Sequence, residues 1–428
     1  MAAWLLIPFT TLMMVGIPIS MCLLFASYIF MTVWGRVPLS ILPKHMFGGV
    51  DSYYLLAIPF FILAGNLMNS TGITATLIRL SDLLFGKIAG GLAQVNIYVS
   101  VIFASLTGSG VADTTAIGPV LIPAMVKSGF TPQYSAAVTA ASSVIGPIIP
   151  PSVLMVIYSN TVGISLGDLF TAGFLPGVII ALSLSVIAYY YAKKYNHPVR
   201  VEKIPFREAS FIILNAMVAL LMPIILIGGI FSGVFTPTEA AAVSVFYALL
   251  VGRFYFRSLN WKSLSEALIE SAHQAGVIMF IIACAAPFGW VLAIVRAPSS
   301  IASSMLEITT NKFFLMFLIN IFLLFMGMIM ETGANCIILA PILAPIAINA
   351  GMEPLHFAIV MIVNLNIGLT TPPLGVCMFI AANIAKIKFE ALVRAIFPFL
   401  VMEIAALFIL TYSETIALFI PRLMGYKG

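Results

Sequence analysis

Two segments of this chain place hydroxyl side chains and helix-breaking residues together inside otherwise apolar sequence. The first reads TGSGVADTT over 107–115, and the second reads GPIIPPS over 146–152. Proline has no backbone N–H and clashes with the carbonyl one turn earlier, so the carbonyls ahead of Pro147, Pro150 and Pro151 lose their helical partners. Freed carbonyls and nearby hydroxyls are hard oxygen ligands for an alkali cation such as Na⁺, and helix N-termini attract a carboxylate. These segments therefore predict sites for a cation and for an organic anion.

Both segments recur in the second half of the chain, as GMIMETGAN over 327–335 and GLTTPPLG over 368–375. The same argument gives a second cation site. One constant, gapless offset aligns the helix breakers of the two copies: Pro119, Pro123, Gly129, Pro132, Gly146, Pro150 and Pro151 with Pro341, Pro345, Gly351, Pro354, Gly368, Pro372 and Pro373. Duplicated helix interruptions are typical of secondary transporters whose broken helices face a central site.

Composition places the chain in a membrane. Hydrophobic residues make up 62% of it and charged residues 8%, whereas soluble domains carry about 25% charged residues. The opening segment lacks a basic region ahead of its apolar run, so we read it as a retained span rather than a signal peptide. We predict an all-α polytopic membrane protein with spans at 4–33, 53–70, 133–163, 172–192, 211–231, 238–256, 276–296, 355–385 and 396–420.

Two pairs of short apolar arms suit re-entrant helical hairpins better than full spans: 92–106 with 114–127, and 313–328 with 336–349. Each pair is joined by a polar tip, and irregular backbone at membrane depth must be buried in protein or line a wet cavity. The predicted organisation is repeat one over 1–192 with hairpin 90–128 and broken span 133–163, a basic loop and linking span over 193–237, and repeat two over 238–428 with hairpin 311–350 and broken span 355–385.

The basic loop over 193–207 sets the orientation, because cytoplasmic loops are enriched in Lys and Arg. Counting crossings from this loop puts an odd number of them between the two hairpins. The repeats are therefore predicted to have inverted topology, with the hairpins entering from opposite sides of the membrane. The polar stretch 260–274 predicts a separate interfacial amphipathic helix, which is either an arm that braces a moving domain or a helix lying on the lipid surface.

Three carboxylates, Asp113, Glu239 and Glu331, are expected at membrane depth, where a buried acid is paired, neutral or functional. Glu239 stands in the first turn after a threonine, which favours helix capping. Asp113 either caps the second arm of the first hairpin or helps to neutralise Na⁺. Asn335 holds the position equivalent to Asp113 in repeat two, so the two cation sites need not carry equal charge.

Enzyme chemistry is not predicted. The histidines are scattered without the spacing of a metal or catalytic cluster, the cysteines form no CxxC pair, and there is no glycine-rich loop for ATP. An ion gradient must therefore drive any uphill work, and no nucleic-acid partner is expected.

The string TPTEAAA over 236–242, together with Gly108–Gly110, IGPIIPPS and GLTTPPLG, resembles the large membrane subunit of a tripartite ATP-independent periplasmic (TRAP) transporter over essentially the whole chain. The resemblance implies a multi-pass protein of the bacterial inner membrane that imports a small organic acid with Na⁺. It also implies a small four-helix membrane partner and a periplasmic substrate-binding protein. In the implied elevator mechanism, hairpins and broken spans move against a scaffold of the spans 4–33, 53–70, 211–231, 238–256 and 276–296.

Site residues follow from the resemblance. The first Na⁺ site would use Ser105, Gly108 and Ser109, with carbonyls near Gly146, Ile149 and Pro151. The second would use Gly327, Thr332, Gly368, Thr370, Thr371 and Pro373. The substrate would touch Ser109, Asp113, Asn160, Asn335 or Asn366.

Substrate identity is decided weakly by the sequence. Tips rich in Ser, Thr and Asn, without intramembrane Arg or Lys, favour a polyhydroxylated monocarboxylate, and sialic acid is the leading expectation. A C4-dicarboxylate or another carboxylate is the alternative. A Na⁺- or H⁺-coupled carrier that works without a binding protein is the second alternative.

Overall fold

The computed structural model describes residues 3–35, 37–197, 204–295, 309, 311–373 and 375–427. Within these ranges the chain is helical and contains no β-strand, which agrees with the predicted all-α membrane protein. Residues 198–203 of the predicted basic loop and the end of the span predicted at 276–296 lie outside the described residues. Helices long and apolar enough to cross a membrane lie at Tyr53–Ser70, Leu166–Lys194, Phe206–Phe231, Trp261–Ile294, Thr332–Asn349 and Phe389–Tyr412.

The first half of the chain forms helices up to the predicted basic loop. They are α1 (Ala3–Met14), α2 (Ile19–Trp34), α3 (Ile41–Val50), α4 (Ala57–Ser70), α5 (Ile73–Phe85), α6 (Leu92–Thr107), α7 (Gly110–Lys127), α8 (Pro132–Ser142), α9 (Val153–Val162) and α10 (Leu166–Lys194). Short 3₁₀ turns precede α4 at Tyr53–Leu56 and follow α8 at Ser143–Ile145.

The second half continues with α11 (Phe206–Phe231), α12 (Pro237–Leu250), α13 (Trp261–Ile294), α14 (Lys312–Gly327), α15 (Thr332–Asn349), α16 (Pro354–Ile367), α17 (Val376–Ala385), α18 (Phe389–Tyr412), α19 (Glu414–Ala417) and α20 (Phe419–Leu423). A 3₁₀ turn at Gly368–Thr370 follows α16, as one follows α8 in the first half.

The sequence repeat corresponds to a repeat of helices. At the offset that aligns the breakers, α7 and α15 have the same bounds and the same length of 18 residues. Helices α8 and α16 begin at the matched prolines Pro132 and Pro354. Both breaks contain a cis proline, at Pro151 and at Pro373. The two copies thus share a hairpin and a broken helix, while their inverted orientation in a membrane stays a prediction.

Local sequence explains where the central helices start and stop. Helix α6 ends at Thr107 and is followed by Gly108, which has a positive φ of 60°, a conformation that suits glycine. The Ser109 hydroxyl accepts a hydrogen bond from the Ala112 N–H at 3.4 Å and caps α7. The Ser152 hydroxyl caps α9 in the same way, accepting from the Met155 N–H at 3.2 Å.

The predicted single span 4–33 is wrong, because two helices occupy it. Helix α1 ends at Met14 and α2 begins at Ile19. Between them Gly16 has a positive φ of 86° and Pro18 precedes the first residue of α2. Proline disfavours helix in the residue before it, so a Gly and a Pro at this spacing make a turn rather than a kink.

The separate interfacial helix predicted at 260–274 is also wrong, because α13 runs without interruption from Trp261 to Ile294. The amphipathic stretch is its first part and the predicted span at 276–296 is its second part. Gly276 alone marks the junction, and one glycine inside a helix costs only about 1 kcal/mol. The Asn260 side chain caps the joined helix by accepting from the Ser263 N–H at 2.8 Å.

Helix packing divides into two groups. Helix α13 packs against α2, α3 and α4, and α12 packs against α4. Helix α11 packs against α5 and α12. The hairpins, the broken helices, α10 and α18 pack mainly against one another, with α8 and α16 buried along nearly their whole length. We name these the outer group and the hairpin group; they meet where α5 and α4 touch α6 and where α13 touches α15.

Candidate binding site between the hairpin tips

A cavity of about 630 Å³ lies where the two hairpin tips face the outer group. One wall consists of tip residues from both repeats, at 107–112 and at Glu331–Gly333, with Pro147 and the start of α9. The opposite wall comes from α4 and α13. Volumes of several hundred Å³ are typical of sites for small organic ligands.

The polar side chains of the lining are mostly neutral. They are Asn66, Asn69, Thr107, Ser109, Thr115, Glu270, His273, Gln274, Glu331 and Thr332. No lysine or arginine occurs among the described residues that line the cavity. The Glu270 carboxylate accepts from the Gln274 amide at 2.7 Å, and the Glu331 carboxylate accepts from the Ala334 N–H at 2.9 Å. Both lining carboxylates are therefore held by neighbours on their own helix.

Tip one and the first break are in direct contact. A Cβ atom placed on Gly108 would lie 2.2 Å from the Pro151 carbonyl oxygen. A Cβ atom placed on Gly146 would lie 2.6 Å from Asp113 Oδ2 and 3.1 Å from the Ser109 carbonyl carbon. The Pro151 carbonyl oxygen thus approaches Gly108, and the Asp113 carboxylate approaches Gly146, in space that only a glycine leaves open.

For the other two residues of the first predicted cation site the structure gives the side-chain contacts, whereas the prediction at Ile149 concerns its backbone carbonyl. The Ser105 hydroxyl donates to the Ile102 carbonyl of its own helix at 2.6 Å. The Ile149 side chain packs against α10, where a Cβ atom on Gly177 would lie 2.3 Å from Ile149 Cγ1.

Asp113 is fully buried beside this contact. Its Oδ1 accepts a short hydrogen bond from the Thr107 hydroxyl, while its Oδ2 has no hydrogen-bond partner among the described residues. Because the Ser109 hydroxyl caps α7, the carboxylate is free of that role. An acid at membrane depth without a second partner is a candidate for holding a cation.

Glu239, in contrast, is a capping residue. Its carboxylate accepts from the Thr236 N–H at 2.8 Å, and the Thr236 hydroxyl accepts from the Glu239 N–H at 3.3 Å. This reciprocal pair is a capping box at the start of α12, and it confirms the capping interpretation.

The second break meets α14 in a similar way. A Cβ atom placed on Gly368 would lie 2.6 Å from the Gly327 carbonyl oxygen. The hydroxyls of Thr370 and Thr371 lie 2.9 Å and 2.7 Å from the Ile367 carbonyl oxygen. Thr332, at the tip, donates to Glu331 at 3.1 Å and lines the cavity, whereas Pro373 is exposed.

The residues predicted to touch substrate separate into two sets. Ser109 lines the cavity, whereas Asp113, Asn335, Asn366 and Asn160 are not part of the described lining. The Asn335 amide donates to the Met326 and Met330 carbonyls at 3.0 Å and 3.1 Å. The Asn366 amide donates to the Ile362 carbonyl at 2.9 Å.

Sequence reasoning misses the outer wall. Glu270, His273 and Gln274 share one face of α13, and their spacing of three and four residues is the available signal. The sequence places them on a separate amphipathic helix, because the polar stretch reads as ending before the span. Asn66 is missed as well; its amide donates to the Ser271 hydroxyl of α13 at 2.9 Å and ties α4 to that wall.

Comparison with known proteins identifies the relatives. The family described as tripartite ATP-independent periplasmic transporter, DctM component, matches residues 6–416. The chain is 37% identical to the sialic acid TRAP transporter large permease protein SiaM of Vibrio cholerae, over 97% of each protein. It is 34% identical to the C4-dicarboxylate TRAP transporter large permease protein DctM of Rhodobacter capsulatus, again over 97% of each. It is 38% identical to the isethionate TRAP transporter permease protein DctMQ of Oleidesulfovibrio alaskensis, over 96% of this chain but 65% of that protein.

Solved structures share the fold at low sequence identity. The YdaH transporter of Alcanivorax borkumensis superposes with a TM-score of 0.62 over 86% of each chain, at 14% identity. MtrF of Neisseria gonorrhoeae, an antimetabolite efflux pump, superposes with a TM-score of 0.56 over 87% of this chain and 83% of that one, also at 14% identity. The likeness supports the helical architecture alone.

Proposed function

The chain belongs to the DctM component family of tripartite ATP-independent periplasmic transporters, a family of permeases rather than enzymes, and we propose that it imports a small organic acid across the bacterial inner membrane with Na⁺. The observation that carries this proposal is the cavity bounded by both hairpin tips on one side and by α4 and α13 on the other. A ligand there would touch both groups of helices at once.

An elevator movement suits this arrangement. The hairpin group holds the tips and both breaks, and it meets the outer group where α5 and α4 touch α6 and where α13 touches α15. Sliding of one group against the other would carry the tip side of the cavity across the membrane and leave the α4–α13 wall behind. The outer group is thus proposed as the scaffold.

Two Na⁺ sites are proposed at the contacts between tips and breaks. Backbone carbonyls of Pro151 and Gly327, threonine hydroxyls and a buried carboxylate are the oxygen donors that an alkali cation requires. The orphaned Oδ2 of Asp113 and the close approach of Gly146 support the first site. Bound Na⁺ would supply the energy of its gradient, and the chain would couple it by holding each tip against its break.

Sialic acid is the proposed substrate. The lining offers hydroxyls and amides but no lysine or arginine among the described residues, so one carboxylate with many hydroxyls fits better than a dianion. The relatives handle sialic acid, C4-dicarboxylates, isethionate and 2,3-diketo-L-gulonate by their names, at 34–38% identity to this chain, and so do not favour one acid. A C4-dicarboxylate is the second candidate.

The family is tripartite by name, so we propose that a small four-helix membrane subunit and a periplasmic binding protein complete the transporter. A carrier that works without a binding protein is the alternative. The two differ in one observable property, which is whether uptake needs the soluble partner.

Uptake of radiolabelled sialic acid into proteoliposomes tests the proposal. The vesicles would contain this chain and its small membrane partner, with or without an inward Na⁺ gradient and the binding protein. Uptake that needs all of these components is expected. Uptake of succinate but not of sialic acid would overturn the substrate, and uptake that ignores Na⁺ would overturn the coupling.

A further inference from the structure

Glu403 is a carboxylate that the cavity and the first break do not use. It lies in the middle of α18 and is fully buried. Its Oε2 lies 3.0 Å from the hydroxyl of Thr370, in the second break, and its Oε1 has no hydrogen-bond partner among the described residues. No lysine, arginine or histidine forms an ion pair with it in the part of the chain that the structure describes.

The surroundings of Glu403 parallel those of Asp113. Each carboxylate is completely buried, each has one oxygen next to a threonine hydroxyl, and each leaves the other oxygen without a partner among the described residues. Asp113 faces the first break at Gly146, and Glu403 faces the second break at Thr370. The two carboxylates come from different places in the repeats, since the position matching Asp113 is Asn335.

We propose that Glu403, on α18, supplies the negative charge of the second cation site. It has there the role that Asp113, in hairpin one, has in the first. This inference rests on the proposed Na⁺ coupling and adds a residue to it. With Glu403 each break faces one fully buried carboxylate, although the position matching Asp113 in hairpin two is Asn335.

The hydroxyl of Thr370 connects the carboxylate to the break. It has a single hydrogen and two acceptors within reach, the Ile367 carbonyl at 2.9 Å and Glu403 Oε2 at 3.0 Å. If the Thr370 hydroxyl donates to Glu403, the Ile367 carbonyl accepts from the Thr371 hydroxyl alone. The lone pairs of the Thr370 oxygen then point away from the carboxylate. A cation beside these oxygens offsets the buried negative charge, which alone would be strongly unfavourable in a membrane protein interior.

The test is Na⁺-dependent thermal stabilisation of the purified chain with its small membrane partner, measured with K⁺ replacing Na⁺ at constant ionic strength. Glu403→Gln keeps the shape of the side chain and removes its charge. We expect the Na⁺ concentration at half-maximal stabilisation to rise at least about tenfold, because removing a unit charge near a cation in a protein interior weakens cation binding by at least that factor. Glu390→Gln is the matched control, an exposed glutamate of the same helix, and it should leave the midpoint unchanged.

The outcomes separate this inference from the proposed function. A wild-type protein that Na⁺ stabilises no better than K⁺ overturns Na⁺ coupling itself. If Na⁺ stabilises the wild-type protein, and E403Q needs the same Na⁺ concentration for half-maximal stabilisation, the role of Glu403 is overturned and the Na⁺ coupling is not. If E403Q does not fold, Glu403→Asp keeps the charge but draws it away from the break by one methylene group; a Na⁺ midpoint in E403D equal to that of the wild type overturns the proposal in the same way.

Discussion

The backbone of Gly108 lies against the carbonyl group of Pro151, so close that a Cβ atom on the glycine would be 2.2 Å from the carbonyl oxygen. These residues belong to separate elements, the tip of hairpin one and the first break. Their contact determines how the tip packs against the break, and it positions the oxygens that are proposed to hold the first cation.

Gly108→Ala should therefore nearly abolish Na⁺-driven uptake and lower the melting temperature. The alanine would have to adopt a positive φ of 60°, which costs about 1–2 kcal/mol, and its Cβ would also displace the break. Gly163→Ala is the matched control, because Gly163 has a φ of 82° and a Cβ atom there would meet nothing within 4 Å. Uptake by G108A equal to that of G163A would contradict a functional contact between tip and break.

Gly368→Ala tests the corresponding contact in repeat two without the complication of backbone strain. Its φ is −55°, so an alanine is tolerated by the backbone, but the Cβ would lie 2.6 Å from the Gly327 carbonyl oxygen. We expect a higher Na⁺ midpoint in thermal stabilisation and a loss of uptake of at least about tenfold, which a change of about 1.4 kcal/mol suffices to produce. The control is Gly276→Ala, a helical glycine with open space around it; similar uptake by both variants would argue against a second site at Gly368.

The repeat and its two breaks are predictable because some prolines and glycines act locally, although Pro119, Pro123, Pro341 and Pro345 lie inside the continuous helices α7 and α15. Pro132 and Pro354 start helices wherever they stand after a capping residue, and the Pro–Pro pairs interrupt helices regardless of their neighbours. Gly16 and Pro18 act in the same local way when they divide the predicted span 4–33 into α1 and α2. The turn is not predicted because the residues around it are continuously apolar.

Contacts between distant elements are not predictable in this way. Glu403 is separated from Thr370 by a whole helix, and nothing in its own apolar surroundings says which break it faces. A carboxylate in the middle of an apolar span is by itself a reason to consider Glu403 a candidate functional residue. The position of His273 on the cavity wall depends on α13 being one helix, which sequence does not decide at Gly276.

His273→Ala and Gln274→Ala test the outer wall of the cavity. Both side chains line it, and Gln274 also donates to Glu270 at 2.7 Å. Loss of one hydrogen bond to substrate, worth about 1 kcal/mol, should raise the substrate concentration for half-maximal uptake about fivefold. The Na⁺ midpoint of thermal stabilisation should stay constant. Glu266→Gln, on the same helix outside the described lining, is the control; equal effects of all three substitutions would exclude a direct contact with substrate.

A disulfide between the outer group and the hairpin group tests the elevator movement. A Cβ atom on Gly65 of α4 would lie 3.3 Å from Thr107 Cα in tip one, which suits the geometry of a disulfide between cysteines at these positions. We expect oxidation of the Gly65→Cys, Thr107→Cys protein to stop sialic acid uptake and reduction to restore it. The reduced protein gives the baseline, because it already lacks the Thr107 hydroxyl. The four native cysteines are buried and should not compete.

The matched control links two elements that belong to the hairpin group. A Cβ atom on Gly90 would lie 3.3 Å from Ala192 Cβ, so cysteines there can also be joined; because Gly90 has a φ of 98° and a side chain there strains the backbone, the reduced protein is again the baseline. If the two groups slide past each other as rigid bodies, this second link moves with its group and should leave uptake intact after oxidation. Efficient cross-linking of Gly65→Cys to Thr107→Cys with unchanged uptake would show that α4 and tip one travel together, and the boundary between fixed and moving helices would then have to lie elsewhere.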